Sequence, residues 1–205
     1  MKIPDGIRKF AEVFAEFPGI GPRQAVRLAF HLVYKGGGVE DQAIKAIESL
    51  KDIKICRQCF YIHDGKGDLC GICSDKSRDG SVIAIVEKET DLMSIESTGK
   101  FNGRYMVIGD LRKKSVLEPD QKLRLKSLKS YIALLPGLPG QGAKAKEIIV
   151  AVNPTSVGNL NAVSISDELK SSAEKITRLG VGIPTGGEIE FADAETLGAS
   201  LERRG

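Results

Sequence analysis

Apolar residues recur at helical spacing through the first fifty positions. Ile7, Phe10, Val13, Phe14 and Phe17 fall three or four apart, as do Val26, Ala29, Phe30 and Val33, and Ile44, Ile47 and Leu50 follow the break at Gly36, Gly37 and Gly38. The pattern predicts a helical unit over residues 1–53. Residues 54–79 hold few aliphatic side chains and many Cys, Gly, Asp and Lys, too little apolar material for a core of their own, so they need a staple. From residue 80 the pattern changes to β-branched and aliphatic runs, Val82 to Val86, Tyr105 to Ile108, Ile148 to Val152 and Val181 to Ile183. Helical stretches near Glu89 to Ser97, Asp120 to Leu135 and Ser164 to Leu179 lie between them. Strands joined by segments of that length predict a mostly parallel sheet with right-handed crossovers, a small α/β domain over residues 80–180. Residues 181–205 read as an extended segment and a helix, which makes the expected fold α/β and multi-module.

Composition narrows the class. The chain has 205 residues, 41% hydrophobic and 28% charged, which excludes a disordered or fibrous protein and leaves room for several small domains. No apolar run approaches the roughly 18 residues of a membrane span. The opening MKIPDGIRKF lacks the apolar stretch and cleavage site of a secretory signal, so the expectation is a cytoplasmic protein with no membrane partner. A net charge of +3, from 30 basic and 27 acidic residues, is too near balance to announce a nucleic-acid partner by itself. Its distribution is uneven: Arg104 to Lys129 holds 8 Lys or Arg and 3 Asp or Glu, whereas the first fifty residues carry 7 and 6. Lys113, Lys114, Lys122, Arg124, Lys126 and Lys129 read equally well as a solvated helix face and as one that faces DNA.

Two motifs carry specific chemistry. In Phe17-Pro18-Gly19-Ile20-Gly21-Pro22-Arg23, two glycines join two amphipathic helices. Glycine permits the tight hairpin and lets backbone N–H groups at the start of the second helix approach a phosphate. Arg23 and Arg27, four apart, share one face of that helix. The arrangement resembles the helix-hairpin-helix, which contacts DNA phosphates without reading sequence; an ordinary corner between helices is the competing reading. The second motif is Cys56-x2-Cys59, ten residues, then Cys70-x2-Cys73. Paired Cys-x2-Cys knuckles supply four thiolates for one tetrahedral, structural zinc per chain, against redox-active or disulfide-bonded cysteines. His63 lies inside the loop but four cysteines complete the shell, and His31 falls in the helical pattern.

In the α/β domain Glu87 ends the first strand, Asp91 and Glu96 follow on the next helix, and Asn153-Pro154-Thr155 follows the third strand. The order resembles a Toprim domain, in which a Glu after the first strand and an Asp-x-Asp after a later one hold magnesium. Here Asn153 and Thr155 occupy the two Asp positions, and neutral oxygens offset the dehydration of magnesium poorly, which argues against catalysis. Gly182-Ile183-Pro184-Thr185-Gly186-Gly187 lacks the Gly-Lys-Ser/Thr of a nucleotide loop and reads as a turn.

Taken in order, these modules and the terminal Gly-Ile-Pro-Thr-Gly-Gly-Glu-Ile-Glu resemble the RecR family of bacterial recombination mediators. The resemblance implies a non-enzymatic DNA clamp, a homodimer or a ring-like homotetramer, that acts with RecO and in some settings RecF to load RecA onto single-stranded DNA. It implies Gly19, Gly21, Arg23 and Arg27 as the DNA contact, Cys56, Cys59, Cys70 and Cys73 as zinc ligands, and Glu87, Asp91, Asn153 and Thr155 as Toprim remnants or partner-binding positions. Relatives commonly carry acids associated with partner docking where this chain has Val157 and Asn159, and the Pro/Gly-rich loop at 136–142 is longer than usual. Two alternatives stand beside this reading. A magnesium-dependent Toprim primase or nuclease is opposed by the missing carboxylates. A DNA-ligase fragment is opposed by the absence of a nucleotidyl-transfer lysine motif.

Overall fold

The computed structural model describes residues 3–111, 116–136, 143–202 and 204. Lys113 and Lys114 of the basic stretch, and residues 137–142 of the Pro/Gly loop, lie outside them. The chain divides into two compact units, Met1–Ile53 and Lys54–Gly205.

The first unit is helical: α1 (Asp5–Phe14), α2 (Pro22–Lys35) and α3 (Val39–Ser49), followed by the 3-10 turn Leu50–Asp52. Gly36, Gly37 and Gly38 all take positive φ, which ends α2 at a conformation that side chains disfavour. Only small residues, Ala11, Ala25 and Ala29, are buried among its described positions, and they let α1 and α2 approach closely. The larger apolar residues face an open groove of about 1030 Å³ lined in part by Phe10, Phe14, Leu32, Val33, Ile44 and Ile47.

In the second unit a two-residue hairpin, β1 (Lys54–Ile55) with β2 (Ile62–His63), and the single turn α4 (Gly71–Ser74) carry the cysteines. A parallel sheet follows, made of β3 (Val82–Val86), β4 (Arg104–Val107), β5 (Ala145–Ala151) and β6 (Ala173–Arg178), in the order β4-β3-β5-β6. Its helices are α5 (Glu89–Glu96), α6 (Pro119–Ala133) and α7 (Ser156–Leu169). Strand alternation sorts the core onto two faces. Ile83, Ile85, Met106, Ile148 and Val150 pack with Leu125, Leu128 and Ile132 of α6 and Ile165 and Leu169 of α7. Ala84, Val86, Tyr105, Val107 and Ala151 pack on the other face with Leu92 of α5, Tyr61 and Ile72. Each fully buried aliphatic side chain contributes about 1.5 to 3 kcal/mol.

The fourth strand departs from the sequence expectation. It occupies Ala173–Arg178, within the helix expected to run to Leu179, and α7 ends at Leu169. Val181 to Ile183, expected as a strand, belongs to no regular element. The physical reason is position: β6 is an edge strand, so Glu174 and Lys175 remain solvated and it presents no continuous apolar run. Val181 and Ile183 stop before Pro184, only half-buried. A turn with Gly186 at φ +86 and a Gly187 N–H to Pro184 carbonyl bond of 2.9 Å leads to the 3-10 turn Ile189–Phe191 and α8 (Ala194–Glu202).

Candidate functional site

The four cysteines converge. Phe60 N–H closes the first knuckle on the Cys56 carbonyl at 3.0 Å, and the Cys70 N–H donates to Cys56 Sγ at 3.4 Å. All four thiols are free and buried, with their sulfurs within 4.8 Å of one another and Cys59 and Cys70 at 3.5 Å. A tetrahedron with metal–sulfur bonds of about 2.3 Å has sulfurs about 3.8 Å apart, so the spacing fits a metal ion. The crowding also bears on charge. The hydrogen bond with Cys70, then that with Cys73, then burial hold the Cys59 thiol far above its ordinary range, while the bonds with Cys59 and then Cys73 pull the Cys70 thiol well below its own. Four thiolates this close need a cation to offset their repulsion. The cluster can therefore hold a metal ion, and with all four positions filled by sulfur it leaves no place for a reactive water. His63 is not part of it: Nδ1 accepts from the Gly65 N–H at 3.2 Å. His31 is exposed on α2.

This module wraps the edge strand β4. The Val107 N–H donates to the Cys59 carbonyl at 2.8 Å, and Arg104 of the same strand donates to the carbonyls of Cys73 and Asp75 at 2.5 and 3.3 Å. Phe60 takes φ +63, the one positive value outside glycine among the described residues, and its ring packs on the α6/α7 face of the core while Tyr61 and Ile72 pack on the other. Arg124 lies over the Phe60 ring at 5.0 Å and donates to the Val107 carbonyl at 2.9 Å. Arg78 and Glu96 form a second tie, with Tyr105 Oη donating to Glu96 Oε2 at 2.9 Å. The hydrogen-bonded guanidinium of Arg78 holds the Glu96 carboxyl below its ordinary range.

The Glu87 side chain is 7% exposed and its carboxylate is already occupied. The Leu111 N–H donates to Oε1 at 3.1 Å and the Asn153 side-chain amide to Oε2 at 2.6 Å. Asp91 and Thr155 do not join them. Asp91 accepts from the Lys88 N–H at 3.0 Å, capping α5, and Thr155 accepts from the Gly158 N–H at 3.0 Å, capping α7. A Toprim centre holds magnesium through carboxylates, and the residues present do not fit one: a donor amide faces the acid where a cation would stand.

In the helical unit Gly19 takes φ +81 and the Ile20 N–H bonds the Phe17 carbonyl at 3.1 Å, while Gly21 is the extended N-cap of α2 with Pro22 behind it. Among the described residues no side chain caps this N-terminus. Arg23 and Arg27 are exposed. Asp5 and Glu12 of α1 are already paired with Arg8, at 3.2 and 3.1 Å. The remaining basic stretch separates by role: Lys122 and Lys126 are exposed, Lys129 pairs with Glu168 at 2.5 Å, and Arg124 is the strut described above. Val157 is half-buried on α7, and Asn159 accepts from Arg178 at 2.5 Å.

Sequence reasoning brought out the cysteines, Glu87 and Asn153, and placed Arg124 only in the basic stretch; it did not find the roles of Phe60 and Arg104 or the Arg78–Glu96–Tyr105 tie. Among the described residues no helix is long and apolar enough to cross a membrane. Residues 81–180 match the Toprim domain model and residues 182–204 the model described as RecR, C-terminal. The chain is 36% identical over 204 residues to the recombination protein RecR of a Thermus thermophilus strain, covering all of this chain and 98% of that protein. Identity to the RecR of Anaeromyxobacter sp. strain Fw109-5 is 35% over 206 residues, again covering all of this chain and 98% of the relative. To that of Myxococcus xanthus it is 34% over 203 residues, covering 98% of both chains. With identity of this order along its whole length, and the cysteine cluster and parallel sheet in place, the chain belongs to the RecR family.

Proposed function

We propose that the protein is a DNA-binding mediator of recombination in DNA repair with no catalytic centre of its own. The observation that carries the reading is the Glu87 carboxylate, closed off by the Asn153 amide and the Leu111 N–H in the place where a Toprim enzyme gathers magnesium. What remains is a scaffold. The N-terminus of α2, with Arg23 and Arg27 exposed beside it, supplies unspecific phosphate contacts. Cys56, Cys59, Cys70 and Cys73 bind one zinc per chain, favoured by the all-thiolate set, and the ion holds the module against β4. On this account the protein works in the cytoplasm as a dimer or ring-like tetramer. It cooperates with RecO, and in some settings RecF, to place RecA on single-stranded DNA.

The test is the salt dependence of DNA binding. Replacing Arg23 and Arg27 together by Ala weakens binding evenly across sequences and flattens the plot of log K against log salt, by about 0.7 per lost contact on single strands. An unchanged slope refutes the assignment of these residues.

A further inference from the structure

Glu87 leaves the end of β3, the middle strand of β4-β3-β5, and its two oxygens reach the loops beyond both neighbours. Each loop is fixed in turn. Gln121 donates to the Asp110 carbonyl at 2.8 Å and accepts from the Glu118 N–H at 2.8 Å, holding the loop before Leu111. On the other side a Cβ on Gly158 would come within 1.9 Å of the Asn153 carbonyl oxygen, so only glycine lets the Asn153–Thr155 turn sit where it does.

A buried carboxylate needs either a cation or N–H donors, and two N–H donors complete Glu87 without a second charge to desolvate. We propose that Asn153 is a cation substitute: its side-chain amide closes the Glu87 end of β3 onto the loop beyond β5 where a divalent ion would stand, the Leu111 N–H ties in the loop beyond β4, and the site takes no divalent metal. The inference deepens the reading of the Glu87 site as non-catalytic and rests on it, and it is independent of DNA binding. Asn153→Asp would set a second carboxylate against Glu87 within hydrogen-bonding distance, a pair that is stable only with a shared proton or a cation. A single substitution should therefore restore a metal site.

The test uses the full zinc-loaded chain, with Mn2+ and Mg2+ as probes, thermal melting for stability and electron paramagnetic resonance for bound Mn2+. Asn153→Ala is expected to lower the melting temperature by roughly 5 °C, with or without divalent ions. Asn153→Asp is expected to fall at least as far in metal-free buffer, to recover most of the loss in millimolar Mn2+, and to bind Mn2+ in a manner abolished by adding Glu87→Gln. Wild-type protein is expected to show no Mn2+ signal sensitive to Glu87→Gln. Stoichiometric Mn2+ binding by the wild type, lost on Glu87→Gln, would overturn the proposal even if the Asn153→Asp variant failed to fold. So would an Asn153→Asp variant that melts like wild type in metal-free buffer.

Discussion

Gly158 sets two general rules against each other. It is the third residue of α7, and by helix propensity alone Gly158→Ala should stabilise the protein by about 1 kcal/mol. Its surroundings say the opposite. The new Cβ would lie 1.9 Å from the Asn153 carbonyl oxygen and 3.2 Å from Thr155 Oγ1, so the turn must open. Opening it breaks the Asn153 amide bond to Glu87, a hydrogen bond to a charged group worth about 1.5 to 3 kcal/mol, and the Thr155 cap, worth about 1 kcal/mol. Setting the propensity gain against these losses leaves a net destabilisation of about 1.5 to 3 kcal/mol, or roughly 7 °C in melting temperature for a chain of this size. The assay is thermal melting followed by far-ultraviolet circular dichroism, with the metal content of both proteins matched. A melting temperature equal to or above that of the wild type refutes the claim that this turn is closed on Glu87.

The metal and the charge network give further outcomes. Protein purified without chelator should contain one zinc per chain by elemental analysis. Stripping the zinc should lower stability markedly and loosen β4, seen as faster amide exchange at Val107, whose N–H is bonded to Cys59; absence of zinc together with paired disulfides rejects the site. The Glu96 carboxyl is held below its ordinary range by Arg78, so its contribution is present above about pH 4.3 and fades as pH falls through the lower folded value. Glu96→Gln should accordingly be less stable than wild type near neutrality, and the gap should narrow on acidification; a gap independent of pH contradicts the ion-pair account.

Much of this was legible in the sequence where the signal is local. Cys-x2-Cys knuckles fix their own geometry within a few residues, and β3 is a buried strand whose five apolar residues need no partner to be recognised. Sequence also picked out Glu87 and Asn153, but not the bond between them, because 66 positions separate the two and nothing local records the loop that brings them together. Arg124 was read with the basic stretch because formal charge does not disclose that an aromatic ring, Phe60, lies beneath it. β6 was missed for the reason that edge strands are hard in general: solvation of one edge permits Glu174 and Lys175, and the apolar pattern then resembles the end of the preceding helix.

The central claim is that this chain mediates recombination by holding DNA. Its most direct test is RecA-dependent ATP hydrolysis on single-stranded DNA precoated with its binding protein, measured with RecO and either this protein or its Arg23→Ala/Arg27→Ala variant. The account predicts that the wild type shortens the lag before hydrolysis and that the double variant, with its zinc content and melting temperature unchanged, does so far less. An unshortened lag with the wild type, or equal shortening by both proteins, contradicts it.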